Sequence, residues 1–138
     1  MTRRPDWERR LNEAVERHMA LPPDYAITNC YILPDDCVLA ITGRRMHPKL
    51  YNGGRGPKTE RGAAKRLLRH GFRSVEDAFA ARFPRIPPLT AQRGDIGVVE
   101  IDGVVCGGVY TAIGFAARSA HGVAFLPVTT VKSAFRVE

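Results

Sequence analysis

The chain has 138 residues, a length that suits one domain with a core of its own and is too short for two. Its composition, 44% apolar and 25% charged, excludes a disordered or fibrous protein, and no apolar run is long enough to span a membrane. The net charge of +7 leaves nucleic acid, an acidic protein or an anionic cell envelope as partners for a basic face.

The N-terminal part of the chain is predicted to be helical. Pro5 is a favoured residue at the start of a helix, and apolar residues then recur at helical spacing from Trp7 to His18. A second helix is predicted to begin near Cys30 and to end at Gly43, a residue type preferred just beyond a helix.

Two further helices follow a glycine-rich loop at residues 47–57. Thr59 is a suitable N-cap for a helix that runs to His70, and Ser74 is a suitable cap for a shorter one. Three apolar residues of the longer helix are expected to face inward: Ala63, Leu67 and Leu68. Three basic residues form a stripe at spacing four on its outer side: Arg61, Lys65 and Arg69. A solvated surface explains this basic stripe most simply, and contact with an assembly partner or an envelope is the alternative.

The rest of the chain has the pattern of β-strands. Residues 96–101 and 104–113 are predicted to pair through a tight turn at Asp102-Gly103. Within the second strand, Gly107 and Gly108 indicate either a bulge or the close approach of another backbone segment.

Two shorter strands are predicted at residues 115–117 and 123–126, and residues 129–135 are predicted to form a last helical turn. Helices first and an antiparallel sheet after them indicate an α+β fold, with N-terminal helices packed on a C-terminal sheet in one domain over residues 1–138.

Cys30 is the first candidate for a functional residue. At a helix N-terminus, the positive end of the helix dipole is expected to lower the pKa of a thiol and to favour the nucleophilic thiolate. A cysteine nucleophile also needs a histidine base, here on the facing sheet. The alternative is that Cys30 is a buried structural thiol, as Cys37 is predicted to be.

Histidines offer few other candidates for a base. His121 is in a predicted surface turn and would have to reach the thiol from a loop. His18 and His70 are expected to lie at helix C-termini, where a protonated imidazole interacts favourably with the negative end of the helix dipole. No zinc-type spacing of Cys and His occurs, so no metal or cofactor is expected, and the three cysteines are expected to be reduced.

Two segments carry a family resemblance. The predicted nucleophile segment has Tyr25, Ala26 and Asn29-Cys30, and a later segment reads Phe83-Pro84-Arg85-Ile86-Pro87-Pro88, followed by Arg93-Gly94-Asp95-Ile96. In their order and spacing these segments resemble the small NlpC-type peptidase-like proteins of tailed phages and gene transfer agents. Members of that family have an aromatic residue, a glycine and Asp-Cys at the nucleophile, and Pro-Gly-Asp-aliphatic at the entry to the first strand.

The resemblance implies a papain-like fold and a set of site residues. Active NlpC-type enzymes carry His-x-Gly-aliphatic-Tyr in the next strand, where this chain has Cys106-Gly107-Gly108-Val109-Tyr110. Cys30 would then stand at the nucleophile position and Cys106 at that of the missing histidine. The third polar residue would fall at residues 118–121, where His121 is the imidazole present.

The implied function is a structural component of a phage or phage-like tail tip or baseplate, built on a peptidoglycan peptidase fold that has lost its base. The alternative is an active cysteine endopeptidase that cleaves peptidoglycan stem peptides during DNA delivery. The expected partners are other tail-tip or hub proteins, with peptidoglycan as a further candidate. Nucleic acid is not expected, because aromatic platforms and binding motifs are lacking. No apolar signal segment is seen, so synthesis in the host cytoplasm and a place at the virion tail tip are expected.

Overall fold

The computed structural model describes residues 2–51, 56–119 and 121–138. In these residues four α-helices come first: α1 (Trp7–Ala20), α2 (Ile32–Thr42), α3 (Glu60–Arg69) and α4 (Val75–Ala80). Six strands follow: β1 (Arg85–Ile86), β2 (Ile96–Ile101), β3 (Val104–Thr111), β4 (Gly114–Ser119), β5 (Gly122–Leu126) and β6 (Ser133–Phe135). All strand pairs are antiparallel, so the fold is α+β, as the sequence pattern predicts.

The predicted helix ends depend on local capping, and the structure confirms them. Gly43 follows α2 with a φ of 84°, a left-handed conformation that glycine adopts without strain. The side-chain oxygen of Thr59 accepts the Gly62 N–H at the start of α3, and that of Ser74 accepts the Asp77 N–H at the start of α4. One predicted orientation is wrong: Leu68 is 62% exposed and does not face the core.

The sheet has the strand order β1-β6-β2-β3-β4-β5. The C-terminal strand β6 lies between the first two strands, where it pairs with both. The prediction of a helical turn over residues 129–135 is therefore wrong, because a 3₁₀ turn at Val128–Thr130 is followed by β6. Strand formation here depends on partners far away in sequence, which a local pattern does not register.

The core has two clusters of buried residues, one on each face of the sheet, because successive side chains of a strand point to opposite faces. The larger cluster joins the helices to the sheet and includes Tyr31, Phe79 and Val98. The smaller cluster includes Val99, Cys106, Tyr110 and Phe115. Cys30 packs against both clusters. None of the described helices combines the length and apolar character needed to cross a bilayer.

Gly107 is the point at which the start of α2 rests on the sheet. The pairing of Val98 with Gly107 and of Gly97 with Gly108 is continuous, so β3 has no bulge there. A Cβ atom on Gly107 would lie 2.2 Å from the carbonyl oxygen of Cys30. The sequence predicted either a bulge or the close approach of another backbone segment at these glycines. The close approach is correct at Gly107.

Candidate functional site

The side chain of Asn29 positions Cys30. Its Oδ1 accepts the N–H groups of Tyr31 and Ile32, each at 2.8 Å, and its Nδ2 donates to the Tyr25 carbonyl at 2.8 Å. The Leu33 N–H donates to the Asn29 carbonyl, so helical hydrogen bonding already spans Cys30. Asn29 thus caps the helix and fixes the preceding turn, which leaves the thiol at the helix N-terminus.

Cys30, Cys106 and His121 line one cleft with a volume of about 380 Å³. Its walls come from the turn before α2, the start of α3, the β2–β3 hairpin and the β4–β5 turn, and include Asp24, Tyr25, Glu60, Val104 and Arg118. The cleft therefore brings together all three residues singled out in the sequence. Sequence reasoning did not place Glu60 in the site, and it named Arg118 only as one end of a short segment.

The thiol of Cys30 has an environment that opposes ionisation. Burial raises its pKa to about 11, and the charges of Cys106 and Glu60 raise it further, while the Gly107 backbone N–H acts in the opposite direction. Burial also raises the pKa of Cys106, with Glu60 as a second cause. The expectation that the helix dipole lowers the pKa of Cys30 is wrong, because desolvation and negative neighbours outweigh the dipole.

No imidazole among the described residues forms a hydrogen bond with Cys30. His121 is exposed, and its backbone N–H donates to the hydroxyl oxygen of Ser119 at 3.1 Å. The imidazole therefore lies at the rim of the cleft, and its role as a base stays a prediction.

A buried histidine lies behind the cleft. His18 is 0% exposed; its Nε2 lies 2.7 Å from Asp36 Oδ2, and its Nδ1 lies 2.8 Å from the hydroxyl oxygen of Thr28, which lines the cleft. Burial raises the pKa of Asp36, but hydrogen bonds from His18 and Arg45 outweigh burial and hold this pKa below 3.8. His18 thus ties α1 to α2 and to the cleft wall rather than serving only the helix dipole.

Asp95 and Cys37 have structural roles. Asp95 Oδ1 accepts the Val137 N–H at 3.0 Å and a hydrogen bond from Arg3 at 2.9 Å, and its Oδ2 accepts the Gln92 N–H at 2.9 Å. It therefore anchors the entry to β2. Cys37 is fully buried, and all three cysteines are unpaired thiols. Within the described ranges, no group of three or more His, Cys, Asp and Glu side chains is arranged to hold a metal ion.

These features define a class of protein: an α+β domain in which a thiol at a helix N-terminus rests on an antiparallel sheet beside a cleft. Over residues 2–137 the chain matches DUF6950, a family described as a domain of unknown function, and it belongs to that family. No curated protein and no solved structure matches the chain.

Proposed function

We propose that this protein is a papain-like, NlpC-type module of a phage or phage-like tail tip or baseplate, and that its cleft does not hydrolyse peptides. The tail-tip assignment rests on the sequence resemblance of the nucleophile segment and of residues 83–96. The observation that supports the lack of hydrolysis is the arrangement around Cys30: its thiol is half-buried, its carbonyl oxygen rests on Gly107, and the same cleft holds Cys106, which the resemblance puts in place of the base.

Peptide hydrolysis by a cysteine nucleophile needs a thiolate and a proton donor. The cleft favours neither. With the pKa of Cys30 at about 11, the thiolate is about one part in ten thousand at neutral pH. The leaving amine must also receive a proton, which an imidazolium usually supplies. The Cys106 thiol, whose pKa is raised by burial, neither activates Cys30 nor supplies that proton readily.

Purified peptidoglycan should therefore show no release of peptide fragments above background when it is incubated with the protein. The wild type and Cys30→Ala should give the same result, as measured by chromatography of the soluble fragments. An active NlpC-type endopeptidase on the same substrate is the positive control. Robust release by the wild type that disappears in Cys30→Ala would establish the active endopeptidase instead.

The endopeptidase is the second candidate because His121 lines the same cleft as Cys30. A shift of the β4–β5 turn would be needed to bring the imidazole to the thiol. In that case His121→Ala should abolish release together with Cys30→Ala. Release that depends on Cys30 alone would assign the base to a residue other than His121.

The basic stripe of α3 is the proposed contact with hub proteins. Arg61, Lys65 and Arg69 are exposed, and none of them forms an ion pair with a described residue. Three unneutralised cations on one helix face suit an acidic protein surface. The glycine-rich loop at residues 47–57 is proposed as a second docking element, and its residues 52–55 lie outside the described residues.

Charge reversal of the stripe, with Arg61, Lys65 and Arg69 all changed to Glu, should reduce incorporation of the protein into purified particles severalfold. Cys30→Ala should leave incorporation and DNA delivery unchanged. Quantitative mass spectrometry of the particles measures the copy number. Full incorporation of the charge-reversed protein would contradict the docking role, and tight, steeply salt-dependent DNA binding lost in that variant would favour a nucleic-acid partner.

A further inference from the structure

Arg118 is a buried cation at the wall of the cleft. It lies on β4, on the same face as Ala116, and the residue is only 4% exposed. Its Nη1 donates to the His18 carbonyl at 3.1 Å, in the last turn of α1, where the negative end of the helix dipole favours a positive charge. The side chain is therefore held in place by backbone rather than by a carboxylate.

Among the described residues, Arg118 is the only arginine that is buried. Of the half-buried arginines, some have acidic partners, whereas Arg4, Arg66 and Arg82 form no ion pair with a described residue. Arg3 pairs with Asp95, and Arg45 pairs with Asp35 and Asp36. In the described part of the chain, no carboxylate forms an ion pair with Arg118. Burial accordingly lowers its pKa, with no neighbouring charge to oppose the shift. Buried charges in proteins are usually paired, and a guanidinium has five N–H donors, so Arg118 has unused capacity for an anion.

Three carboxylates line the same cleft and also lack an ion pair with any described residue: Asp24, Glu60 and Asp102. They disfavour a ligand of high negative charge, such as a polyphosphate or a nucleic acid. They favour a ligand that carries an amine as well as an acid. The cleft also has apolar lining from Ile101 and Val104, and its volume is in the range that takes small molecules or a few residues of peptide.

We propose that the cleft binds a zwitterionic ligand of the amino-acid or short-peptide class, with a carboxylate on Arg118 and an amine on the side of Glu60 and Asp24. Arginine forms planar, two-point hydrogen bonds with a carboxylate, which fixes the orientation of the ligand as well as its charge. This inference rests on the proposed function. If the cleft does not hydrolyse peptides, a peptide in it is a bound ligand and not a substrate.

The test is a titration of the full chain with alanyl-alanine, followed by ¹H–¹⁵N NMR. Shifts are expected at the Arg118 side chain and at the Cys30 and Ser119 amides. Amidation of the peptide C-terminus should weaken binding about tenfold or more, because it removes the anion. N-acetylation should weaken it by roughly threefold, because the amine meets exposed carboxylates. Inorganic phosphate should not compete.

Arg118→Gln should weaken alanyl-alanine binding about tenfold or more. Arg69→Gln is the control: Arg69 is exposed and lies outside the cleft, so this change should leave binding unaltered. If Arg118→Gln does not fold, Glu60→Gln serves in its place. Glu60 is exposed in the first turn of α3, and this change should weaken binding of the free peptide but not of the acetylated one.

Three outcomes would overturn the inference: equal binding of the amidated and free peptides, competition by phosphate, or no shifts in the cleft. Particle incorporation of the same variants separates this result from the proposed function. Absence of peptide binding by the wild type, together with normal incorporation, rejects the ligand alone. Cys30-dependent cleavage of peptidoglycan rejects the non-hydrolytic role alone.

Discussion

Gly107→Ala is expected to destabilise the protein by about 3 kcal/mol or more, one of the largest effects available to a single methyl group in this chain. The added Cβ would lie 2.2 Å from the Cys30 carbonyl oxygen and 3.0 Å from the ring of Phe79. The first neighbour is backbone at the capped start of α2, and it cannot rotate away as a side chain would. Relief of the clash requires the start of α2 to move off β3, which also opens the cleft.

Gly71→Ala is the matched control for this change. Gly71 has a φ of 89°, and an added Cβ would meet nothing within 4 Å, so alanine there costs only backbone strain of about 1 kcal/mol. Urea unfolding of both variants, followed by circular dichroism, gives the two free energies. A Gly107→Ala protein as stable as the Gly71→Ala protein would contradict the close seating of Cys30 on β3.

Cys106→His should lower the pKa of Cys30 from about 11 and accelerate its alkylation at neutral pH about tenfold or more. The change replaces a thiol that is uncharged at neutral pH with an imidazolium that stabilises the Cys30 thiolate. The cleft beside Cys106 has room for the larger ring. Iodoacetamide labelling against pH, with the Cys30 peptide quantified by mass spectrometry, measures the rate.

Cys106→Asn is the control, because it removes the thiol and adds a polar side chain without a titratable charge. Its effect on the alkylation rate should be smaller than that of Cys106→His. In the wild type, the neutral thiol is favoured by folding, so its contribution to stability is complete below the ordinary thiol pKa of 9.0 and is lost as pH rises toward about 11. A Cys30 that already reacts rapidly at neutral pH in the wild type would contradict the raised pKa.

The sequence alone was sufficient for features governed by neighbours along the chain. Thr59 and Ser74 each cap a helix through a backbone N–H three residues on, and Gly43 ends α2 because glycine adopts a left-handed conformation readily. Asp102 and Gly103, with φ of 51° and 79°, form the predicted hairpin turn. These elements depend on a few successive residues, so a local pattern contains the information that determines them.

The structure, and not the sequence, decided features that depend on distant partners. β6 is a strand because it lies between β1 and β2, and His18 is buried because it meets Thr28 and Asp36 from other segments. The pKa of Cys30 was predicted from the local helix dipole, whereas burial by the sheet and the charges of Cys106 and Glu60 set its direction.

The candidate site shows the same division. Cys30 and Cys106 could be singled out from their motifs, and both line the cleft. Glu60 was seen only as the start of a helix, and Arg118 only within a stretch of chain, because nothing in their sequence neighbours indicates that they face the same cavity. Residue types and spacing determined which helices and turns form and which thiols to examine. Tertiary packing decided the electric field at those thiols, because desolvation and Coulomb interactions act between groups that only the folded chain brings together.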